Sequence, residues 1–307
     1  MHESVQGKAV PYDTGTMKIL FPFLNAIISG VILGAIYAMM SMGLTLIYGV
    51  GRMFNFAHGA FIFWGGYFTW FFYSQSHLDY FLSAILGIVI LFCFAILVDK
   101  FTLSPIRKKP DFGITSVLVT LGLAIVLGNA GDVIFGTRIK TINKIAEGFL
   151  RIGDFTITYQ DLATIAISVG ILLGLEIFLR KTTIGTALRA ISQDTVGAQI
   201  VGINLDRLFA FTMGLSAALA GISGVLLAPK FFIAPYVGWE TLFKAVIIVI
   251  FGGLGSVKGT LISAFILGTL EAFVSMYLGM FWVQPMWFIL MVGVLFVKPK
   301  GLFGEWA

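Results

Sequence analysis

The stretch GRMFNFAHGAF, Gly51–Phe61, decides how this chain is read. It sets Arg52, Asn55, His58 and two glycines within eleven residues, between apolar runs on either side. Polar groups in an apolar environment are costly unless the protein supplies them with hydrogen-bond partners. The stretch is therefore a loop, a reactive site or a break in a transmembrane helix, and the chain around it has to decide.

Working outward, the 307 residues are 58% hydrophobic and only 11% charged, with a mean hydropathy of +0.98. A soluble domain carries about 25% charged residues, so this chain lacks the polar surface to face water. Apolar spans run over Ile19–Met42, Gly59–Tyr73, Phe81–Val98, Ile114–Phe135, Leu162–Leu179, Leu208–Ala228, Thr260–Leu278 and Trp282–Val297. Leu44–Val50 and Thr241–Phe251 are too short to cross a hydrocarbon core of ~30 Å at ~1.5 Å per residue. They are either half-helices or parts of longer spans. The expected fold is all-α, a polytopic integral membrane bundle of about 8–10 segments, two of them short or broken, in a single domain over 1–307. The alternating segments of a membrane barrel are absent. Cys93 is the only cysteine, which excludes an intrachain disulfide and a cysteine metal site. Met1–Lys18 is polar, and the run after it lacks a small-residue cleavage site, so it reads as the lead-in to a retained first helix.

Charge sets the orientation. Asp99–Pro110, DKFTLSPIRKKP, holds four basic residues, Arg180–Arg207 is basic again, and the tail carries Lys298 and Lys300. All three are placed in the cytoplasm by the positive-inside rule, which also explains a pI near 9.3 without nucleic acid. Ser74–Tyr80 has no Lys or Arg and reads as external. Gly136–Gln160 fits poorly, since it must lie outside yet carries Arg138, Lys140, Lys144 and Arg151; its FTIT stretch suits a short hairpin.

A weak repeat appears at an offset of 200 residues: LIYGVGRMFNFAHGAFIF from Leu46 lines up with VIIVIFGGLGSVKGTLISA from Val246. Each joins a short apolar piece, a polar break containing glycine and a full span, so the fold is expected to contain a duplicated helix–break–helix unit. Paired interruptions in the two halves of a membrane protein point to a transport pathway.

Reactive chemistry finds little support. Only His58 among three histidines lies near the membrane, and the metal-binding H-x-x-H, the G-x-S-x-G elbow and the P-loop G-x-x-x-x-G-K-[ST] are all absent. No catalytic or metal residues are assigned, and any ATP must be bound by another chain. Phe251–Gly259, FGGLGSVKG, supplies Gly252, Gly253, Gly255 and Ser256. Such clustered glycines let helices approach or end within the membrane, and the exposed amides of a break suit an anionic group. Glu271 lies in mid-span, where it must face the bundle interior or an aqueous cavity. Glu176 with Arg180, and Glu240 with Lys244, have the spacing of i,i+4 pairs near the membrane boundaries.

The cytoplasmic stretch Thr182–Arg207 puts Leu188, Ile191, Thr195, Ala198 and Gly202 on one face at helical spacing. Asp194 is placed to cap a second short helix and Gly202 to end it. Two small helices lying along the membrane suit either the lipid interface or docking into a partner's groove.

Three motifs now carry a resemblance: GLTLIYGVGRMFNFAHGAF, GTALRAISQDTVGAQIVGINLDRLFAFTMGLSAALAGISGVLLAP and GGLGSVKGTLISAFILGTLEAF. From about Phe23 to Gly304 the chain resembles the LivH-type membrane subunit of branched-chain amino-acid ABC importers. The resemblance implies a permease of the prokaryotic plasma (inner) membrane, not an enzyme. It implies pairing with a LivM-type membrane subunit, two cytoplasmic ATPases that bind ATP and Mg, and an extracytoplasmic substrate-binding protein. It assigns ATPase coupling to the loop 180–207, through Gly185, Arg189, Ala190, Asp194, Gly202, Ile203 and Asn204. The break signature falls on Asn55, Phe56, Ala57, His58 and Gly59. The implied substrates are branched-chain amino acids, urea, amides or organic acids. A stand-alone secondary transporter or channel is the alternative reading. His58 is expected on the cytoplasmic side, as a strut or as a substrate contact.

Overall fold

A computed structural model describes residues 14–303, apart from 144–145, 153–154 and 231; most of the polar segment 1–18 lies outside them. The first helix, α1 (Thr14–Gly51), runs for 38 residues, so Leu44–Val50 is its final stretch and not a separate half-helix. A non-helical segment leads to α2 (His58–Trp70), which continues in a π-helical turn, Phe71–Gln75. The external turn ends at Asp79, whose carboxylate accepts from the amides of Phe81 and Leu82 and starts α3 (Tyr80–Val98). After α4 (Phe112–Phe135) the external loop folds into the antiparallel hairpin β1 (Phe149–Ile152) and β2 (Phe155–Thr158), with FTIT as the second strand. Then come α5 (Tyr159–Lys181), two short helices α6 (Thr183–Gln193) and α7 (Thr195–Ile200), and α8 (Leu205–Leu227). The chain ends with α9 (Pro235–Gly252), α10 (Val257–Tyr277) and α11 (Val283–Val297). Thr241–Phe251 is therefore the inner part of a full span, which begins earlier because Pro235 occupies the first turn, where its missing N–H costs nothing.

Among the described residues, 8 helices are long and apolar enough to cross a membrane. α2 with its π-helical continuation to Gln75 makes a further embedded helical stretch that begins within the bundle, at the buried His58. The two basic loops and the C-terminal end fall on one side, as the charge rule requires. In the external loop Lys140 lies 4.8 Å from the centre of the Trp70 ring and pairs backbone to backbone with Ile233, and in the connection after α8 Lys230 lies 2.5 Å from Asp161.

The centre is α8, with 72% of its apolar window buried, and α1, with 56%; α11, with 17%, is peripheral. Lipid tails are as apolar as leucine, so helices associate by close packing through small residues. A Cβ at Gly224 would lie 1.8 Å from the Ile62 carbonyl oxygen, and one at Gly65 2.4 Å from that of Gly221, which locks α2 against α8. Likewise a Cβ at Gly268 would meet the Gly34 nitrogen at 2.6 Å, where α1 and α10 cross.

Candidate functional site

The polar stretch is re-entrant. Arg52 ends α1 in the left-handed region at φ 49°, and its guanidinium donates to the Ser192 carbonyl of α6 at 3.1 Å. The chain then turns back into the protein. The Asn55 side-chain oxygen accepts from the Ala57 amide at 3.0 Å, its amide group reaches the Met213 sulfur at 3.4 Å, and the Phe56 amide donates to the Thr120 hydroxyl at 3.1 Å. The freed backbone is thus satisfied inside the protein. His58 is completely buried and not at the cytoplasmic face as expected from charge. Its Nε2 lies 2.7 Å from the Met40 carbonyl and its Nδ1 3.3 Å from the Ser216 hydroxyl. A carbonyl only accepts, so Nε2 carries the hydrogen and Nδ1 accepts from Ser216. Met40 lies eleven residues before Gly51, or ~16 Å along α1, so residues 52–57 fold back along the helix and turn at Asn55, whose carbonyl accepts from the His58 amide at 3.2 Å. This is why sequence pattern misjudged the depth of His58. Gly59 serves the approach of α9 and not the break: a Cβ there would lie 2.2 Å from the Gly238 carbonyl oxygen.

The second interruption has the same order and a different geometry. Gly252 packs against Gly259, Gly253 and Gly255 take φ of 103° and 81°, and the Ser256 hydroxyl accepts from the Gly259 amide at 3.1 Å to start α10 at once. The result is a tight turn beside Gly49, near the cytoplasmic end of α1. The tail closes under it, the amides of Leu302 and Phe303 donating to the carbonyls of Phe251 and Gly252. The anticipated pathway residues thus occupy three places: Asn55–Gly59 deep between α1, α8 and α9, Gly252–Ser256 at the cytoplasmic turn, and Glu271 in the outer part of the bundle, six residues before the end of α10.

Glu271 organises a buried polar network. Its carboxylate accepts from Tyr37 OH at 2.6 Å, Trp287 Nε1 at 2.9 Å and Lys244 Nζ at 3.0 Å. Lys244 also stands 3.5 Å from Glu240. The i,i+4 pair exists, but Lys244 belongs first to Glu271 and lies inside the span, not at its boundary. Sequence reasoning paired Lys244 with Glu240 but missed its bond to Glu271, and missed Tyr37 and Trp287; a lysine nine residues beyond a helix-starting proline was the available signal. Arg107 was also missed. It bridges Asp99 and Asp206, each at 2.6 Å, over the ring of Phe209.

The cytoplasmic helices form as anticipated. Thr182 caps α6 through the Gly185 amide, and a Cβ at Gly185 would lie 2.4 Å from the Phe178 carbonyl oxygen, so only glycine admits this fold-back. Asp194 accepts from the amides of Val196 and Gly197, both at 3.0 Å; Gly202 ends α7 at φ 86°, the Ile203 amide returns to the Ala198 carbonyl, and Asn204 caps α8. Leu188, Ile191 and Ala198 are buried, while Thr195 and Gly202 are exposed. Arg189 is exposed and Ala190 half-buried. Outward from α7 stand Val196, Ile200 and Val201, 66%, 81% and 75% exposed. That apolar edge on a cytoplasmic helix was not anticipated.

Comparison with known proteins agrees with this architecture. Residues 26–298 match the family model described as branched-chain amino acid transport system / permease component. The chain is 30% identical over 297 residues to the high-affinity branched-chain amino acid transport system permease protein LivH of Salmonella typhimurium, covering 92% of this chain and 96% of that one. It is 26% identical to BraD of Pseudomonas aeruginosa, over 94% and 98% of the two chains. A chain of the solved PsaBC–Fab complex from Streptococcus pneumoniae aligns over 91% of this chain and 93% of its own, at 17% identity and a TM-score of 0.46, too low to bear on the fold. The chain therefore belongs to the permease components of branched-chain amino acid transport systems, multi-pass proteins of the inner membrane.

Proposed function

We propose that the chain is one of two membrane subunits of an ABC importer, which moves a branched-chain amino acid or a related small polar solute by alternating access. Its partner in the membrane is a LivM-type subunit; two cytoplasmic ATPases hold the ATP and Mg, and an extracytoplasmic binding protein delivers the solute. This chain needs no cofactor of its own and acts as a single transmembrane domain. The names of its relatives support the substrate class.

The observation that carries the mechanism is the apolar edge Val196–Ile200–Val201 on α7. Exposed apolar side chains at i, i+4 and i+5 suit a helix-in-groove contact with the ATPases. Gly185, Asp194, Gly202, Ile203 and Asn204 shape this knob, and Arg189 and Ala190 flank it on α6. Through the bond between Arg52 and Ser192 the knob touches the re-entrant stretch, so a push on α6 and α7 reaches Asn55–Gly59. A coupling element of this kind has to bias two global states of the transporter.

The test is Val196→Asp with Ile200→Asp in the assembled transporter. Both membrane subunits are expected to remain paired while the ATPases no longer co-purify and uptake is lost. Uptake and ATPase retention at wild-type levels would remove α7 from the coupling role. Uptake by the chain reconstituted alone would favour the stand-alone transporter.

A further inference from the structure

Glu240 is out of place for a residue bound for lipid. It lies five residues after Pro235, ~8 Å inside the outer end of α9 and ~18 Å from its cytoplasmic end. Its side chain is nevertheless 48% exposed. A carboxylate within a membrane span faces the bundle interior, a polar cavity or another polar group by default. Its one ion-pair neighbour is Lys244 at 3.5 Å, and that ammonium makes its shorter contact, 3.0 Å, with Glu271. Glu271 is saturated by Tyr37, Trp287 and Lys244. The three charges sum to one net negative, and the most exposed of them is Glu240.

The surroundings have the character of a binding surface. Tyr236, Trp239 and Phe243 are exposed on the same face of α9, at i−4, i−1 and i+3 from Glu240. Trp239 also lines a crevice with Phe56, Gly59 and Ala124, which joins this face to the re-entrant stretch. Aromatic faces beside a carboxylate suit an ammonium group carried on an apolar body.

We propose that Glu240 receives the ammonium group of the solute in the outer part of the membrane domain. Lys244 and Glu271 form the buried pair that holds the carboxylate in position, and Tyr236, Trp239 and Phe243 contact the apolar part. This rests on the permease reading above and adds to it a site and a ligand class, a small solute with a cationic nitrogen.

The test uses the complete transporter, with its partner subunits, in proteoliposomes. In a Cys93→Ser background, Trp239→Cys and Phe243→Cys are exposed to a charged, membrane-impermeant methanethiosulfonate, with the exposed Ile85→Cys on α3, at matching depth from the outer end, as control. A thiol reacts as thiolate, which forms in water and not in lipid. Labelling at 239 and 243 and not at 85 is expected; no labelling, or equal labelling at all three, overturns the proposal in favour of contact with lipid or with the paired subunit. In parallel, Glu240→Gln is expected to lower kcat/KM for L-leucine by about tenfold or more, the size expected for loss of a charge-assisted hydrogen bond. Glu240→Asp should restore part of it. Wild-type uptake by Glu240→Gln also overturns the proposal. Absence of L-leucine uptake by the unaltered transporter counts against the substrate reading alone, because the labelling result does not depend on it.

Discussion

At the scale of single residues, His58 shows how a polar side chain becomes structural. Both ring nitrogens are used, one donating to the Met40 carbonyl and one accepting from Ser216, and Gly43 leaves the space, since a Cβ there would lie 2.8 Å from the imidazole. The ring pins α1, α8 and the start of α2 together. His58→Gln preserves one of these bonds at a time, and His58→Leu preserves neither. Leaving a buried group unpaired costs about 1–3 kcal/mol, so the thermal midpoint of the purified transporter should fall in the order wild type, Gln, Leu. The Gln variant should assemble normally and keep much of its uptake; complete loss of uptake with normal assembly would assign His58 to the solute instead. That this stretch interrupts a membrane helix was legible in its polarity. The depth of His58 was not, because the sequence shows how many residues follow α1 and not that they fold back along it. Glu240 and Lys244 show the same gap: their spacing gave the i,i+4 pair, but PYVGWE resembles a loop, and only the observed start of α9 at Pro235 puts both within the membrane.

At the scale of elements, α7 is six residues long and has no independent stability, since helices well under 12 residues do not persist in water. Its cap is therefore decisive. Asp194 satisfies the amides of Val196 and Gly197, and loss of such a cap costs ~1 kcal/mol. Asp194→Ala should raise hydrogen exchange over 195–203 and lower uptake per ATP hydrolysed. Val196→Asp should weaken ATPase docking with exchange over 195–203 unchanged in the membrane subunits alone. Equal exchange in Asp194→Ala and wild type would mean that packing of Ala198, not the cap, holds α7. The capping residues were legible because Asp and Gly at helix ends have local causes. The buried face was only partly legible: one helical period run across Thr182–Arg207 predicts Thr195 and Gly202 inside, but the chain changes direction at Asp194 and the period restarts.

At the scale of the whole molecule, the two interruptions share an order of elements and differ in the residues after the first glycine. In the first, Met53, Phe54 and Phe56 are apolar and draw the chain back into the bundle, whereas GGLGS closes a turn that caps itself. Coordinated movement therefore has to pass between the cytoplasmic helices and the core by other ties, and Arg107 supplies one. It joins the buried Asp99, at the inner end of α3, to Asp206 in the first turn of α8, the helix that leaves the coupling loop. Its charge looked like any other in the cytoplasmic run DKFTLSPIRKKP, where nothing local distinguishes a solvated arginine from a bridging one. Arg107→Gln leaves Asp99 buried without its cation, and breaking such a pair costs about 3–5 kcal/mol. The expected result is a marked fall in thermal midpoint and in uptake. Combining it with Asp99→Asn removes the stranded charge and should recover most of the stability. If Arg107 is a strut alone, uptake recovers with stability. If it transmits movement from the loop to α8, the double variant is stable, hydrolyses ATP and still transports poorly, because α3 and α8 are no longer held to move together.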